Sequence, residues 1–330
     1  MDQIEYNLLR HTWFPLARLD DLKDGVASGH ILGEELVVYG DGGNVTVAQG
    51  HCPHRGVALR LGRTRGDTLE CPYHGWLFAG GTGRCVRIPS LPDGTGKPNA
   101  SLRTFPTRIA YGLVWSCLEE PFLPFPRLPR YIDDSWRIAP GSPYSLRCGM
   151  RQLTENFRDK AHFPFVHAGT MGDVETTVAP YRVLQDGWEL SWSSSWRSAN
   201  TPSRFATEPG HRLDYHVTLP MFASIRVTSP SGGQRLVAQL ATPVTSDGQR
   251  VRQFWLAGVD GVSIDQGADL ADILDYERQV FEEDHPIVEN QLPAEAPLDL
   301  HSQVHTGADK FSIAYRRRYA ELLEEYKTRA

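Results

Sequence analysis
An α+β fold, a small all-β unit followed by a larger antiparallel sheet gripping helices, is predicted by three features of the 330-residue sequence. Short strand-like runs broken by turn clusters fill residues 34–118, a proline-rich stretch follows, and the remainder mixes strand-periodic runs with helical ones. With 40% hydrophobic and 22% charged residues, the chain has enough apolar material for one or two globular cores.

Residues 34–39 and 45–49 read as strands flanking Gly40-Asp41-Gly42-Gly43-Asn44, a hairpin signal, and 112–118 is a further apolar run. Pro121, Pro124, Pro126, Pro129, Pro140 and Pro143 fit neither central strands nor helix interiors, so this stretch is expected to be a stiff connector at a domain boundary. Leu153, Phe157 and Ala161 recur at helical spacing and predict a helix over 151–163. In 187–197, Trp188, Leu190, Trp192, Ser194 and Trp196 alternate with mostly polar residues; 212–229, 235–244 and 250–258 are also strand-like. Two amphipathic helices, 269–284 and 309–328, close the chain.

The balance of 34 basic against 40 acidic side chains, a net charge of −6, gives no field for nucleic acid or anionic lipid. Asp2, Glu5, Arg10 and His11 interrupt the apolar residues of the N-terminus, and no run reaches the roughly 18 apolar residues of a membrane span. A cytoplasmic protein without a membrane partner is expected. Five cysteines are too few and too scattered for a disulfide framework, so any that cluster call for metal or redox chemistry; Cys85, Cys117 and Cys148 read as small buried apolar residues.

Cys52-Pro53-His54-Arg55 and Cys71-Pro72-Tyr73-His74-Gly75-Trp76 each place one Cys and one His on a short turn, with sixteen residues between His54 and Cys71. A structural zinc site is one reading, but zinc fingers usually take both cysteines from one loop and both histidines from a helix. One of each per loop suits a [2Fe–2S] centre in which Cys52 and Cys71 bind one iron while His54 and His74 bind the other. Neutral imidazoles in place of thiolates raise the potential of such a centre.

A second constellation is Asn156, Asp159, His162 and His167. Asp159 and His162 would share a helix face, whereas His167, five residues on, would point about 140° away on a straight helix. Pro164 lies between the histidines, and a bend there could bring both imidazoles onto one metal. Two histidines and one carboxylate bound facially leave positions on iron(II) for O2 beside a substrate. By spacing alone the carboxylate is Asp159 or Asp284, and Glu283 adjoins the latter.

The C-x-H and C-x-x-H loops, Glu155-Asn156-Phe157-Arg158-Asp159-x-x-His162-x-x-x-x-His167 and Glu283-Asp284-x-x-Ile287-x-Glu289-x-Gln291 together resemble the Rieske non-heme iron oxygenases. The resemblance extends over nearly the whole chain and is strongest to small homotrimeric N- and O-demethylases, such as those acting on methylxanthines, vanillate and dicamba. It implies a Rieske [2Fe–2S] domain over 1–118, a connector over 119–147 and a helix-grip, START-like catalytic domain over 148–330. It also implies Fe(II) on His162, His167 and Asp284, with Asp159 bridging His162 to His74 of a neighbouring subunit, hence a trimer. Respiratory-chain Rieske proteins carry an extra cysteine in each loop, where this chain has Val57 and Tyr73.

The expected function is that of a terminal monooxygenase: two electrons and O2 place one oxygen atom in a C–H bond of a small aromatic or heterocyclic substrate, and water is the other product. An attacked N- or O-methyl group would be released as formaldehyde; ring or side-chain hydroxylation and an electron-carrier or ligand-binding role are the alternatives. Gly94-Thr95-Gly96-Lys97 is followed by Pro98 where a phosphate loop needs Ser or Thr, and no G-x-G-x-x-G follows a strand. Electrons from NAD(P)H would therefore arrive through a separate ferredoxin or flavin reductase. Glu277, two helical turns before Asp284, is a candidate substrate acceptor, with Asn156 near the metal and Phe163, Phe222 and Trp255 as candidate pocket walls.

Overall fold
The computed structural model describes residues 1–22, 25–40, 43–92, 99–172, 175–196 and 210–329. Asp41, Gly42, residues 94–98 and Arg197, singled out in the sequence, lie outside the described residues, as does the side chain of Trp196. Two compact units are present, one formed by residues 1–125 with 242–247 and the other by 126–241 with 248–330. The short return of 242–247 to the first unit is not contained in a division into consecutive segments.

The first unit opens with α1 (Gln3–Arg10), whose N-cap Asp2 accepts the Glu5 N–H at 2.8 Å. The strands are β1 (Phe14–Arg18), β2 (Val26–Ile31), β3 (Glu34–Gly40), β4 (Val45–Gln49), β5 (Arg63–Arg65) and β6 (Thr68–Glu70). After them come β7 (Leu77–Ala79), β8 (Cys85–Arg87), β9 (Thr104–Phe105), β10 (Thr107–Ala110) and β11 (Leu113–Ser116). They form three small sheets, ordered β1-β11-β10, β2-β3-β4-β9 and β5-β6-β7-β8. The expected hairpin is present, with Gly40 opposite Val45. Val37, Tyr39, Leu59, Leu69 and Phe78 form a core that includes Cys52 and Cys71.

The second unit begins with β12 (Arg137–Pro140) and β13 (Tyr144–Leu146), followed by the helices α2 (Met150–Arg158), α3 (Phe163–Val166) and α4 (Ala168–Met171). The strands β14 (Leu184–Asp186), β15 (Glu189–Trp196), β16 (His211–Thr218), β17 (Phe222–Thr228), β18 (Gln234–Pro243) and β19 (Val251–Val259) come next. The chain closes with α5 (Gly261–Asp265), α6 (Leu270–Val288) and α7 (Lys310–Arg329). The eight strands make one sheet, ordered β12-β19-β18-β17-β16-β15-β14, with β13 also on β19. Part of the expected connector is thus edge strand: Pro140 ends β12, where a missing N–H costs no central ladder bond. The run 212–229 is two strands, because Pro220 sits in the turn between them.

Helix α6 lies on the sheet through buried Ile273, Val280 and Phe281, and the Phe281 ring stacks with Phe157 of α2 at 6.1 Å. A buried pair ties α2 to α7: Arg316 Nε and Nη2 donate to Glu155 Oε1 and Oε2 at 2.6 and 2.7 Å. Arg316→Met leaves the Glu155 carboxylate buried without its cation, so a loss of about 3–5 kcal/mol in urea unfolding is expected. The double variant E155L/R316M should recover part of it, since both charges of the pair go together, although buried Arg158 also loses the Glu155 carboxylate. Among the described residues no helix is long and apolar enough to cross a membrane.

Candidate metal centres
In the first unit, Cys52 and Cys71 begin two loops with the same backbone plan. The Cys52 N–H donates to Val57 O and the Gly56 N–H to Cys52 O, both at 2.9 Å. The Cys71 N–H donates to Trp76 O at 2.8 Å and the Gly75 N–H to Cys71 O at 3.0 Å. Gly56 and Gly75 both take φ +67°, a left-handed turn that L side chains adopt at a cost. The repeated Cys-Pro-x-x-Gly at a separation of nineteen residues was a sequence signal for this pairing, and attention to the Cys and His alone passes over it.

The two loops sort their donors by type. Cys52 and Cys71 are buried, whereas His54 and His74 are exposed, with ring centroids 4.6 Å apart. Trp76 stacks on His54 at 4.5 Å and fixes that ring. Burial pushes the Cys52 thiol up to about 11, with Cys71 beside it adding to the shift; the N–H groups of His54 and Arg55 pull the other way. Two thiolates held this close need cationic charge between them. Sulfur donors on the buried side and nitrogen donors on the exposed side fit a binuclear cluster whose two irons have different ligands.

In the second unit the predicted helix over 151–163 stops at Arg158. Asp159 has extended backbone (φ −78°, ψ 135°), and its carboxylate accepts the N–H groups of Ala161 and His162 at 2.9 and 3.2 Å. A short acidic side chain competes with the helix for backbone donors, which ends α2 three residues before His162. Asp159 and His162 therefore meet through a tight turn, not along a helix face. Pro164 lies in the first turn of α3, where its missing N–H has no helical partner to lose, and His167 joins α3 to α4.

Three atoms converge from these turns and α6. His162 Nε2 and His167 Nε2 are 3.1 Å apart, and Asp284 Oδ1 is 3.4 Å from the first and 3.3 Å from the second. Each imidazole is held from behind by a carboxylate: His162 Nδ1 is 3.1 Å from Asp159 Oδ2, and His167 Nδ1 is 2.8 Å from Glu283 Oε2. Thr170 donates to the other Glu283 oxygen. With the ring protons drawn to Nδ1, both Nε2 lone pairs face Asp284, an arrangement that repels itself unless a cation lies between. Bonds of about 2.1 Å at right angles place neighbouring ligand atoms about 3.0 Å apart, so the spacing fits a facial metal site.

Burial works against charge at His162, but hydrogen bonds to Asp159 and Asp284 prevail and move it up to about 9. Asp284 is likewise held well below the usual carboxylate range by the two imidazoles, despite its burial. Asn156 donates to Asp284 Oδ1 at 3.2 Å, so its partner in the structure is the carboxylate itself. Glu283, the adjacent alternative, faces the back of His167, since consecutive helical residues point about 100° apart. Removing it through Glu283→Ala should weaken iron binding 10- to 100-fold in a chelator competition while leaving the cluster absorbance unchanged.

An apolar cavity opens beside the three atoms, bounded by Phe157, Phe163, Val280 and Phe281 among others, with Glu277 and Arg235 as charged members besides Asp284. Phe163 and Glu277 both line this cavity. Phe222 and Trp255 are not on this wall. On β17 the cavity-facing residues are Ile225 and Val227, of opposite parity to buried Phe222. The Trp255 ring lies 5.3 Å from Phe281, and its N–H donates to Ser142 O at 2.9 Å. Sequence reasoning missed Arg235, for which the signal was an arginine at the same parity as Val237, just before the apolar run Leu236-Val237-Ala238.

Residues 12–106 match the family model for the Rieske [2Fe-2S] domain, and residues 146–325 match that for the vanillate O-demethylase oxygenase C-terminal domain. The chain is 29% identical to methylxanthine N1-demethylase NdmA of Pseudomonas putida over 99% of its own length and 92% of the relative's. It is also 29% identical to methylxanthine N3-demethylase NdmB of the same organism, over 95% and 89%. The solved structure of Pseudomonas putida CBB5 NdmA with caffeine superimposes with a TM-score of 0.82 at 27% identity, covering 99% of this chain and 94% of that one.

Proposed function
This chain belongs to the Rieske oxygenases that carry a vanillate O-demethylase-type C-terminal domain, and on that premise we propose that it is a terminal oxygenase removing a methyl group from nitrogen or oxygen of a small aromatic or heterocyclic molecule. The observation that carries this reading is the convergence of His162, His167 and Asp284 at the edge of an apolar cavity. The relatives named as methylxanthine N-demethylases support the choice of reaction.

Iron bound by these three side chains supplies the reductive activation of O2 next to the substrate. Asp159 and Glu283 hold the imidazole tautomers that present Nε2 to the metal, and Asn156 steadies Asp284. Phe157, Phe163 and Phe281 keep water from the reacting carbon. Cys52, Cys71, His54 and His74 would hold the [2Fe–2S] cluster, with the exposed imidazole edges as the route for electrons. A methyl group hydroxylated on nitrogen or oxygen collapses without further help from the protein and releases formaldehyde.

The electron donor is a separate ferredoxin or flavin reductase using NAD(P)H, and the setting is the cytoplasm. The assembly is a homotrimer, in which Asp159, a third of whose side chain is open to solvent, links His162 to the partner's His74. Purified, iron-loaded protein with a surrogate reductase and NADH, offered N-methyl and O-methyl heterocycles and aromatics, tests the reading. Formaldehyde equal to substrate consumed, with coupled O2 uptake, is expected. A hydroxylated product that retains its methyl group would overturn demethylation, and a trimer mass absent from light scattering would overturn the assembly.

A further inference from the structure
The cavity beside the three metal-facing atoms has a free volume of about 50 Å³, enough for the end of a molecule. A second cavity of about 310 Å³ lies further along the same sheet, within the range of ordinary small-molecule sites, and is rich in polar groups, including Ser229, Ser231, Ser263 and Gln266. Arg235 and Val227, paired across β18 and β17, border both cavities. Helix α6 runs past both, with Ile273 on the outer cavity and Glu277 and Asp284 on the inner one. From Glu277 to Asp284 is seven residues, about 10.5 Å along the helix.

Between the cavities stands a buried charge pair that is not fully joined. Arg235 Nη1 is 3.7 Å from Glu277 Oε1, beyond hydrogen-bond reach, with side-chain exposures of 11% and 7%. The guanidinium lies over the Tyr276 ring at 4.9 Å, which fixes its plane. Its Nε and Nη1 atoms are buried and have no hydrogen-bond partner among the described residues. Buried donors left unmet are costly, and the residue that carries them borders both cavities. Burial pushes the Glu277 carboxyl up while Arg235 beside it pulls the other way, so a charged ligand would meet a like-signed and an opposite-signed group together in a buried place, whereas a neutral acceptor would satisfy Arg235 without adding charge.

Deepening the demethylase reading on which it rests, we propose that Arg235 and Glu277 form a neck that selects an uncharged substrate. Arg235 donates to a neutral acceptor where the two cavities meet, Glu277 accepts any adjacent N–H, and the rest of the molecule continues into the outer polar cavity.

The test is calorimetric binding to the anaerobic holoenzyme of four probes with one reactive end: 3-(4-methoxyphenyl)propanamide, the matching propanoate, the matching propylamine and 4-propylanisole. The carboxamide should bind at least tenfold more tightly than each of the others. R235M should erase that preference, and so should R235K, which keeps the charge but loses the planar fork; E277Q should reduce it less. Probes that bind within threefold of one another in the unaltered protein, a preference that survives in R235M, or no binding of the carboxamide would each overturn the proposal. The unaltered protein alone can fail it, so a variant that does not fold decides nothing against the test. Turnover separates the two readings: a carboxamide held through Arg235 but hydroxylated without formaldehyde keeps the neck and removes demethylation.

Discussion

Asp284→Ala is expected to yield a protein that keeps its cluster absorbance, loses its mononuclear iron and releases formaldehyde more slowly by a factor on the order of 10³ or more. Among the described residues, Asp284 Oδ1 is the anionic atom that meets both His162 Nε2 and His167 Nε2. Without it the site offers only the two imidazoles, and Asn156 Nδ2 loses its acceptor. Glu283 is a poor substitute, because its two oxygens are engaged by His167 Nδ1 and Thr170 on the far side of the ring. Iron analysis with the visible spectrum reads the outcome directly. Iron content and turnover within tenfold of the unaltered protein would instead move the ligand role to Glu283.

Cys71→Ser should have an effect of similar size by another route: the cluster absorbance disappears, iron falls from about three per chain to about one, and reductase-driven turnover drops on the order of 10³-fold. Serine is nearly isosteric, but its hydroxyl does not ionise as a thiol does. Cys71 lies in the same buried core as Cys52, Leu59, Leu69 and Phe78, so loss of the cluster also leaves polar groups there without partners. The neighbouring exposed Tyr73 provides the contrast, since Tyr73→Phe should change cluster content little. Full iron and retained absorbance in the serine variant would show that the sulfur is dispensable.

The parts of the fold that the sequence made legible are those in which local and long-range signals agree. The hairpin that follows Gly40, the alternation of Leu190 and Trp192 in β15 and the apolar spacing of α6 and α7 each suit both their own backbone and the core they meet. The end of α2 was not legible, because Leu153 and Phe157 continue a helical pattern that the side chain of Asp159 stops through two backbone hydrogen bonds. Prolines marked residues 119–147 as irregular, yet β12 and β13 find places beside β19, where edge pairing tolerates them. At the site, the residue types and their motif spacing were readable, whereas the meeting of Asp284 with two histidines more than a hundred residues earlier rested on resemblance. Ring direction on strands was the weakest inference. Phe222 sits on the wrong parity, and Arg235 drew no notice because one arginine in a strand usually marks a solvent edge.

Helix α6 also constrains how this protein can change over generations. Its outer turns border the two cavities at Ile273 and Glu277, and its inner turns bring Glu283 and Asp284 to the two histidines. Inserting or deleting one residue between these groups would turn one set by about 100° against the other, so either the cavity wall or the convergence on His162 and His167 would keep its place, but not both. Lineages of this enzyme are therefore free to alter what they accept by substitution along α6, while length changes must fall elsewhere, as in the strand-connecting turn at 229–233 that borders the outer cavity.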